Sequence, residues 1–368
     1  MANVLLIGTE IPTFFLTGRD FLKYSKLVKF NYRTILVSDI KSCDLNWCDI
    51  LICIRSNDPI SEYVSRKALK AGKKILLLLD DDLLNNNSND HPYIIKVRKR
   101  SLKKMLSYSS LIIANSKYLG EKYHKISGKS YVTLDTVVVK DDIVSKYEKS
   151  EPIKMLYAAN KAHIQYFNKL ITPILNRLYS KYKEKISLTL IGPIIQDESI
   201  KLKIEQYNLM PFDKYNGFMK NNHFDIGLAP LFDEEFEWCK YYNKYLEYSR
   251  LGILGIYSDQ LPFNSVVKDG FNGLLAKGDP DNWYYAICRA IDDESLRRRC
   301  VKNAQSQILS DCSVENNAKK LVSAFPEIAT FKPLSRNKVF VRFVKYRYLL
   351  FWFISGVLWR LSKKNNSK

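Results

Sequence analysis

The chain is short of three things that would otherwise place it at once. Its 368 residues hold seven cysteines, an odd number with no pair at C-x-x-C spacing. Neither a disulfide framework nor a zinc site is indicated, and most of these cysteines are expected to be small buried apolar residues in a reducing compartment. Acidic residues are scarce as well: 38 Asp and Glu stand against 58 Lys and Arg, for a net charge of +20. Such an excess calls for an anionic partner, whether nucleic acid, a membrane surface or a phosphorylated substrate. The positive charge is spread as single lysines between apolar residues, with no zinc-finger spacing, arginine-rich arm or RNA-binding aromatic signature. Membrane and sugar-phosphate partners therefore rank above nucleic acid. Long hydrophobic runs are also lacking. Near the C-terminus the uncharged run Tyr348–Trp359 has 12 residues, where a membrane span needs about 20. The opening MANVLLIGTE has an apolar run of only about five residues, with no basic region before it and no cleavage site after it. It reads as a first strand and not as a signal peptide, so a cytoplasmic chain is expected.

What is present is a regular alternation. Short apolar runs at 2–7, 34–37, 49–54, 74–79 and 111–114 are separated by amphipathic stretches. A helix is expected from Ser61, as its cap, to Ala71, with Gly72 ending it, and a basic helix over 94–107. The pattern returns at 154–158, 187–191, 225–229, 253–257 and 273–275, and Ser313 opens a last helix to about Ala324. Strands alternating with helices mean an α/β fold with parallel, doubly wound sheets. The length suggests two domains. They are placed at 1–150 and 151–330, with a linker in the polar stretch from Asp141 to Pro152 and a separate tail over 331–368. From Lys338 to Lys364 that tail is aromatic and basic with no acidic residue. The composition suits a helix lying in a membrane interface, held by apolar burial and by attraction to anionic lipid. The competing reading is a C-terminal helix packed on its domain.

The most informative stretch runs from Phe224 to Trp283. An apolar strand leads into an acidic, aromatic loop, then into Lys244-Tyr-Leu-Glu-Tyr248 at a helix start. A second strand follows, then Asp269-Gly-Phe-Asn-Gly-Leu-Leu275 and the helix start Asp279-Pro-Asp-Asn-Trp283. In order and spacing these motifs resemble the donor-binding half of GT-B glycosyltransferases, in particular glycosyltransferase family 4 of the bacterial surface-polysaccharide type. The match covers 153–320. Over 1–150 it extends to the fold alone.

The resemblance implies two Rossmann-like domains facing a cleft, the first binding acceptor and the second a nucleotide-diphosphate sugar. It implies transfer of the sugar, with retention and without a metal or other cofactor, to a hydroxyl of a saccharide acceptor. A lipid-linked acceptor at the inner face of the cell membrane, in O-antigen or capsule assembly, fits the tail. Glu247 would accept the ribose hydroxyls of the nucleotide. Its alternative role is a carboxylate favoured by the first turn of a helix capped by Asn243. Lys240, Asn243 and Lys244 at that helix start would hold the diphosphate, and any one of the lysines could instead be solvated surface. Asn160, Lys161 and His163, after the first strand of the second domain, fall where the family faces the donor phosphates; His163 could equally be an ordinary helix-start residue. The family's first glutamate of an E-x7-E pair is Cys239 here, so the pair is broken, with Glu234, Glu235 and Glu237 as nearby substitutes.

Asp80-Asp81-Asp82 ends an acceptor-domain strand. Asp81 is the candidate to bind an acceptor hydroxyl or take its proton. Asp80 and Asp82 also have D-x-D metal spacing, and a solvated capping cluster is the third reading. Two other function classes stay open: a nucleotide-sugar isomerase or epimerase on the same fold, and a non-catalytic sugar-nucleotide-binding scaffold.

Overall fold

The structure, a computed structural model, describes residues 2–9, 25, 29–85, 90–144, 151–160, 163–192, 194–330 and 337–365. Contacts divide the chain into two units. The first comprises Met1–Val137, Cys239–Tyr241 and Cys312–Lys368; the second comprises Val138–Trp238 and Tyr242–Asp311.

The first unit is built on six parallel strands, β1 (Asn3–Gly8), β2 (Asn31–Leu36), β3 (Ile50–Ile54), β4 (Lys74–Leu79), β5 (Leu111–Ala114) and β6 (Tyr131–Thr133), in the order β2-β1-β3-β4-β5-β6. Both β3 and β5 are wholly buried, and β1 and β4 are buried from their second residue on. Continuous apolar runs are what a parallel sheet covered on both faces requires. The strand order reverses beside β1, so the carboxyl ends of β1 and β3 flank a topological switch point, the usual place for a ligand in such sheets. The helix after β3 is Pro59–Lys70. Its cap is Asp58, whose carboxylate accepts from the Ile60 and Ser61 N–H groups at 2.9 Å. Ser61, expected as the cap, is instead buried in the first turn and donates its hydroxyl to Asp58 at 2.5 Å. The basic helix is Pro92–Tyr108.

The second unit repeats the plan with β7 (Ile153–Ala158), β8 (Ile186–Ile191), β9 (Ile204–Tyr207), β10 (Ile226–Ala229), β11 (Leu254–Ser258) and β12 (Leu274–Ala276), again all parallel. Their order is β12-β11-β10-β7-β8-β9. This is the doubly wound order of dinucleotide-binding folds, with its switch point between β7 and β10. Asp225, fully buried, stands just before β10 and accepts the Lys154 N–H at 2.9 Å, pinning β10 against β7 at the end away from the switch point. Gly192 follows β8 at φ +95°, and a Cβ there would run into the Ala159 carbonyl oxygen, so only glycine lets these two strand ends approach.

The tail is part of the first unit. Val339 N–H donates to Asn46 Oδ1 at 2.7 Å and Val341 N–H to Ser42 Oγ at 3.1 Å, so its backbone is tied to the helix Ser42–Trp47. A helix follows over Val344–Asn365. Val344 is buried in the first-unit core, Tyr348 and Phe351 pack against it, and Ser355 is 6% exposed. Among the described residues no helix is long and apolar enough to cross a membrane.

Candidate functional site

In the second unit the loop after β10 carries the chain to the helix Asn243–Arg250, which therefore starts at the carboxyl edge of the sheet, beside the switch point. Asn243 is the first helical residue and is exposed. The cap position is Tyr242, and no side chain caps the helix. The expected Asn243 cap is therefore corrected by one position, and Glu247 falls on the fifth helical residue, at the start of the second turn. The helix N-terminus therefore has no side-chain cap, while the Tyr245 and Leu246 N–H groups donate to the Tyr242 carbonyl at 2.9 and 3.3 Å.

Glu247 is half-buried and held from two sides. The Lys244 ammonium donates to Oε2 at 2.9 Å and to Oε1 at 3.1 Å. The Tyr215 hydroxyl donates to Oε1 in a short hydrogen bond. Tyr215 stands in the first turns of the helix Phe212–Asn221, which begins after β9 and so also starts at the carboxyl edge. Burial, and then the Glu247 carboxylate, push the Tyr215 phenol far above its ordinary range, so it remains a donor at any working pH. Lys244 also lies 5.5 Å from the ring centres of both Tyr215 and Tyr248. The sequence brought Lys244 and Glu247 forward, and the structure brings them together. It adds Tyr215, 32 residues upstream of Glu247, which no spacing rule singles out in a chain with 24 tyrosines.

The remaining donor-side candidates divide. Asn160 is exposed just past β7, and its carbonyl accepts the His163 N–H at 3.1 Å. His163 precedes the helix Ile164–Leu170 without capping it. Its carbonyl accepts the Tyr157 hydroxyl at 2.9 Å, and its ring lies 5.1 Å from that of Tyr166. Both therefore follow β7 at the switch point. Lys161 lies outside the described residues. Of the three glutamates near Cys239, Glu234 and Glu235 are exposed, whereas Glu237 is 2% exposed and accepts the Tyr166 hydroxyl at 2.6 Å. Lys240 stands three residues ahead of Asn243 and is half-buried. Residues 239–241 cluster with the first unit, where the Tyr241 hydroxyl accepts the Thr136 N–H at 3.1 Å and the Lys240 charge acts on Asp81.

In the first unit the three aspartates that follow β4 separate. Asp80 accepts from Arg55 Nη1 at 2.8 Å, and Asp81 from Arg55 Nη2 at 3.3 Å. Asp82 is fully buried, accepts from Lys122 at 2.8 Å and from the Asn85 side chain at 2.9 Å, and is thus the structural member. Asp80 and Asp82 are engaged by different cations, which leaves the metal-spacing reading without a converging pair. Burial raises the Asp81 carboxyl above its ordinary value; Arg55 works against that and Asp80 adds to it. Arg55 follows β3 at the switch point in a left-handed backbone conformation, φ 47°, which a non-glycine residue adopts at a cost. Sequence reading passed over it.

The Asp269–Leu275 and Asp279–Trp283 motifs farther along serve the fold. Asp269 accepts the Leu275 N–H at 3.0 Å and pairs with Arg289 at 2.7 Å. Asn272 is buried and donates to the Tyr245 hydroxyl at 3.0 Å and the Val266 carbonyl at 2.9 Å. Asp279 caps the helix Pro280–Asp292, and Trp283 is fully buried in the core.

No protein-family model and no curated protein sequence matches the chain. Solved structures do. HepE of Anabaena, in complex with UDP-glucose, superposes with a TM-score of 0.61 at 12% identity, over 88% of this chain and 100% of that one. A glycosyltransferase from Rickettsia africae gives 0.59 at 14% identity, over 90% and 99%. A Listeria monocytogenes protein assigned as a UDP-N-acetylglucosamine 2-epimerase gives 0.55 at 10% identity, over 93% and 100%. Identities this low establish shared architecture: the chain has the fold of two Rossmann-like α/β domains that these proteins share.

Proposed function

We propose that the protein is a glycosyltransferase that moves a sugar from a nucleotide-diphosphate sugar to a hydroxyl of a saccharide acceptor. The observation that carries this reading is the Lys244–Glu247–Tyr215 cluster at the uncapped start of the Asn243–Arg250 helix, beside the β7/β10 switch point. Lys244 and Tyr215 orient the Glu247 carboxylate, leaving it able to accept the ribose hydroxyls. The bond from the sugar C1 to the diphosphate breaks, a bond from C1 to the acceptor oxygen forms, and the acceptor hydroxyl passes its proton to the Asp81 carboxylate. Negative charge grows on the leaving diphosphate, where the helix start and the Lys244 ammonium stabilise it. Asp81, held by Arg55, is assigned to the acceptor hydroxyl. Retention of configuration and independence of metal belong to the same proposal. HepE, which shares the fold, has been crystallised with UDP-glucose, and that supports a uridine nucleotide as the first donor to try.

The acceptor is proposed to be lipid-linked, in surface-polysaccharide assembly, with the tail meeting an anionic membrane. The outward side chains of the tail helix support this, and they also weigh against the epimerase reading that the Listeria protein raises, since an epimerase needs no membrane acceptor. Incubating the chain with UDP-sugars and a polyprenyl-diphosphate saccharide separates the readings. Transfer gives UDP and a longer acceptor, in the presence of a chelator. Conversion of the nucleotide sugar to its epimer without acceptor would replace this proposal with the alternative.

A further inference from the structure

The helix Val344–Asn365 is docked on the first unit by one face only. Besides the buried Val344 and Ser355, Arg347 stacks over Tyr63 at 4.6 Å and Arg98 over Trp352 at 5.1 Å. The opposite face is apolar and in water: Tyr346, Leu350 and Phe353 are 73%, 59% and 70% exposed, and Val357 continues the row one turn on. Residues 346, 350, 353 and 357 follow the 3–4 spacing of a single helix face. This is a large unpartnered apolar stripe on a helix whose other side is fixed.

The neighbouring helix Pro92–Tyr108 supplies the complementary feature. It has no acidic residue, and Lys96, Lys99, Arg100, Lys103 and Lys104 line one groove along it. None of these five makes an ion pair among the described residues, whereas Arg98, on the same helix, pairs with Asp90 and reaches Trp352. Arg98 thus joins the cationic helix to the tail helix within one unit. The outward face of the tail has Arg342, Lys345 and Arg360 around it and no carboxylate. A second copy of the chain would meet it with like charges. An anionic bilayer offers what each feature lacks: hydrocarbon for the apolar side chains and phosphates for the ammonium groups.

We infer that the first unit carries a composite bilayer-docking surface made of two helices: the outward face of Val344–Asn365, which inserts, and the cationic face of Pro92–Tyr108, which reads anionic headgroups. The inference rests on the membrane reading of the tail proposed above, and adds that the tail is a fixed part of a rigid footprint whose lipid selectivity lies elsewhere, on residues 96–104.

The test uses the full chain and vesicles of phosphatidylglycerol or phosphatidylcholine, with nucleotide affinity as the control for folding. Combined Arg100→Gln, Lys103→Gln and Lys104→Gln should lower binding to phosphatidylglycerol vesicles by roughly a hundredfold at low salt, and change phosphatidylcholine binding little. Combined Leu350→Ser and Phe353→Ser should lower binding to both. If the triple variant binds phosphatidylglycerol as the parent does, the composite surface is wrong while the tail reading stands. If the Leu350/Phe353 variant is unchanged, both fall. A dimer of the parent chain in solution that is lost in the Leu350/Phe353 variant would show the face covered by a second copy, and would overturn the inference too.

Discussion

In the first unit Asp82 is fully buried, with Lys122 and Asn85 on its carboxylate; in the second, Glu247 keeps 18% of its side chain in solvent, with Lys244 and Tyr215 on it. Each stands near the carboxyl edge of a parallel sheet and each is paired with a lysine. The difference is what remains to be given. Asp82 is spent on the chain around it, while Glu247 is oriented and still reachable. A carboxylate closed in with its cation holds a fold together; the same pair left at the rim of a switch point can serve a ligand. Asp81 keeps the same 18% of its side chain in solvent as Glu247, but its cation, Arg55, is shared with Asp80.

Breaking the buried pair should have the largest effect. Asp82→Asn leaves the Lys122 charge without its partner and should destabilise the protein by about 3 kcal/mol, the lower end for breaking a buried ion pair, read as a lower urea midpoint at unchanged slope. A shift within error would mean that Asp82 is as dispensable as a rim residue. Lys244→Ala should act the other way round. Turnover with a nucleotide sugar should drop by about tenfold or more, and donor affinity by less, because leaving-group charge develops toward the transition state. Equal turnover would make Lys244 only the orienting partner of Glu247. Tyr215→Phe removes one donor and keeps the ring, so donor affinity should fall about fivefold, the worth of a single hydrogen bond. No change would mean that Lys244 alone sets the carboxylate.

The smallest effect concerns pH. The folded Asp81 carboxyl titrates above the unfolded value, so its contribution to stability is full below the unfolded value and is lost as pH rises through the folded one. Asp81→Asn should remove that loss. Measured by urea unfolding, its stability relative to the parent should be higher at pH 7.5 than at pH 3.5. An equal difference at both pH values would show that Asp81 is effectively solvated.

The sequence was legible where function and fold impose spacing. The order from β10 through the Lys244–Tyr248 helix start to β11, the Asp269–Leu275 loop and Trp283 could be read because each piece is a local signal: an apolar run, a cap, a glycine turn. β6 and β9 were not expected because both are short and only partly buried, so neither leaves an apolar run. Tyr215 and Arg55 reach their partners through tertiary packing, and nothing near them in sequence marks them. Asp58 took the cap from Ser61 because a carboxylate two or three residues ahead of the Pro59–Lys70 amides satisfies two of them at once. In the tail, composition showed an amphipathic basic and aromatic segment. Which of its faces is docked is a matter of the surface it meets.

The central claim is that Glu247 receives the nucleotide of the donor, and calorimetric titration of UDP and a UDP-sugar into the parent chain and the Glu247→Gln variant tests it most directly. Loss of a charged acceptor is worth about 1.5–3 kcal/mol, so affinity should fall by roughly ten- to a hundredfold, with the unfolding midpoint held. Equal affinity of parent and variant for every nucleotide that binds would contradict the assignment.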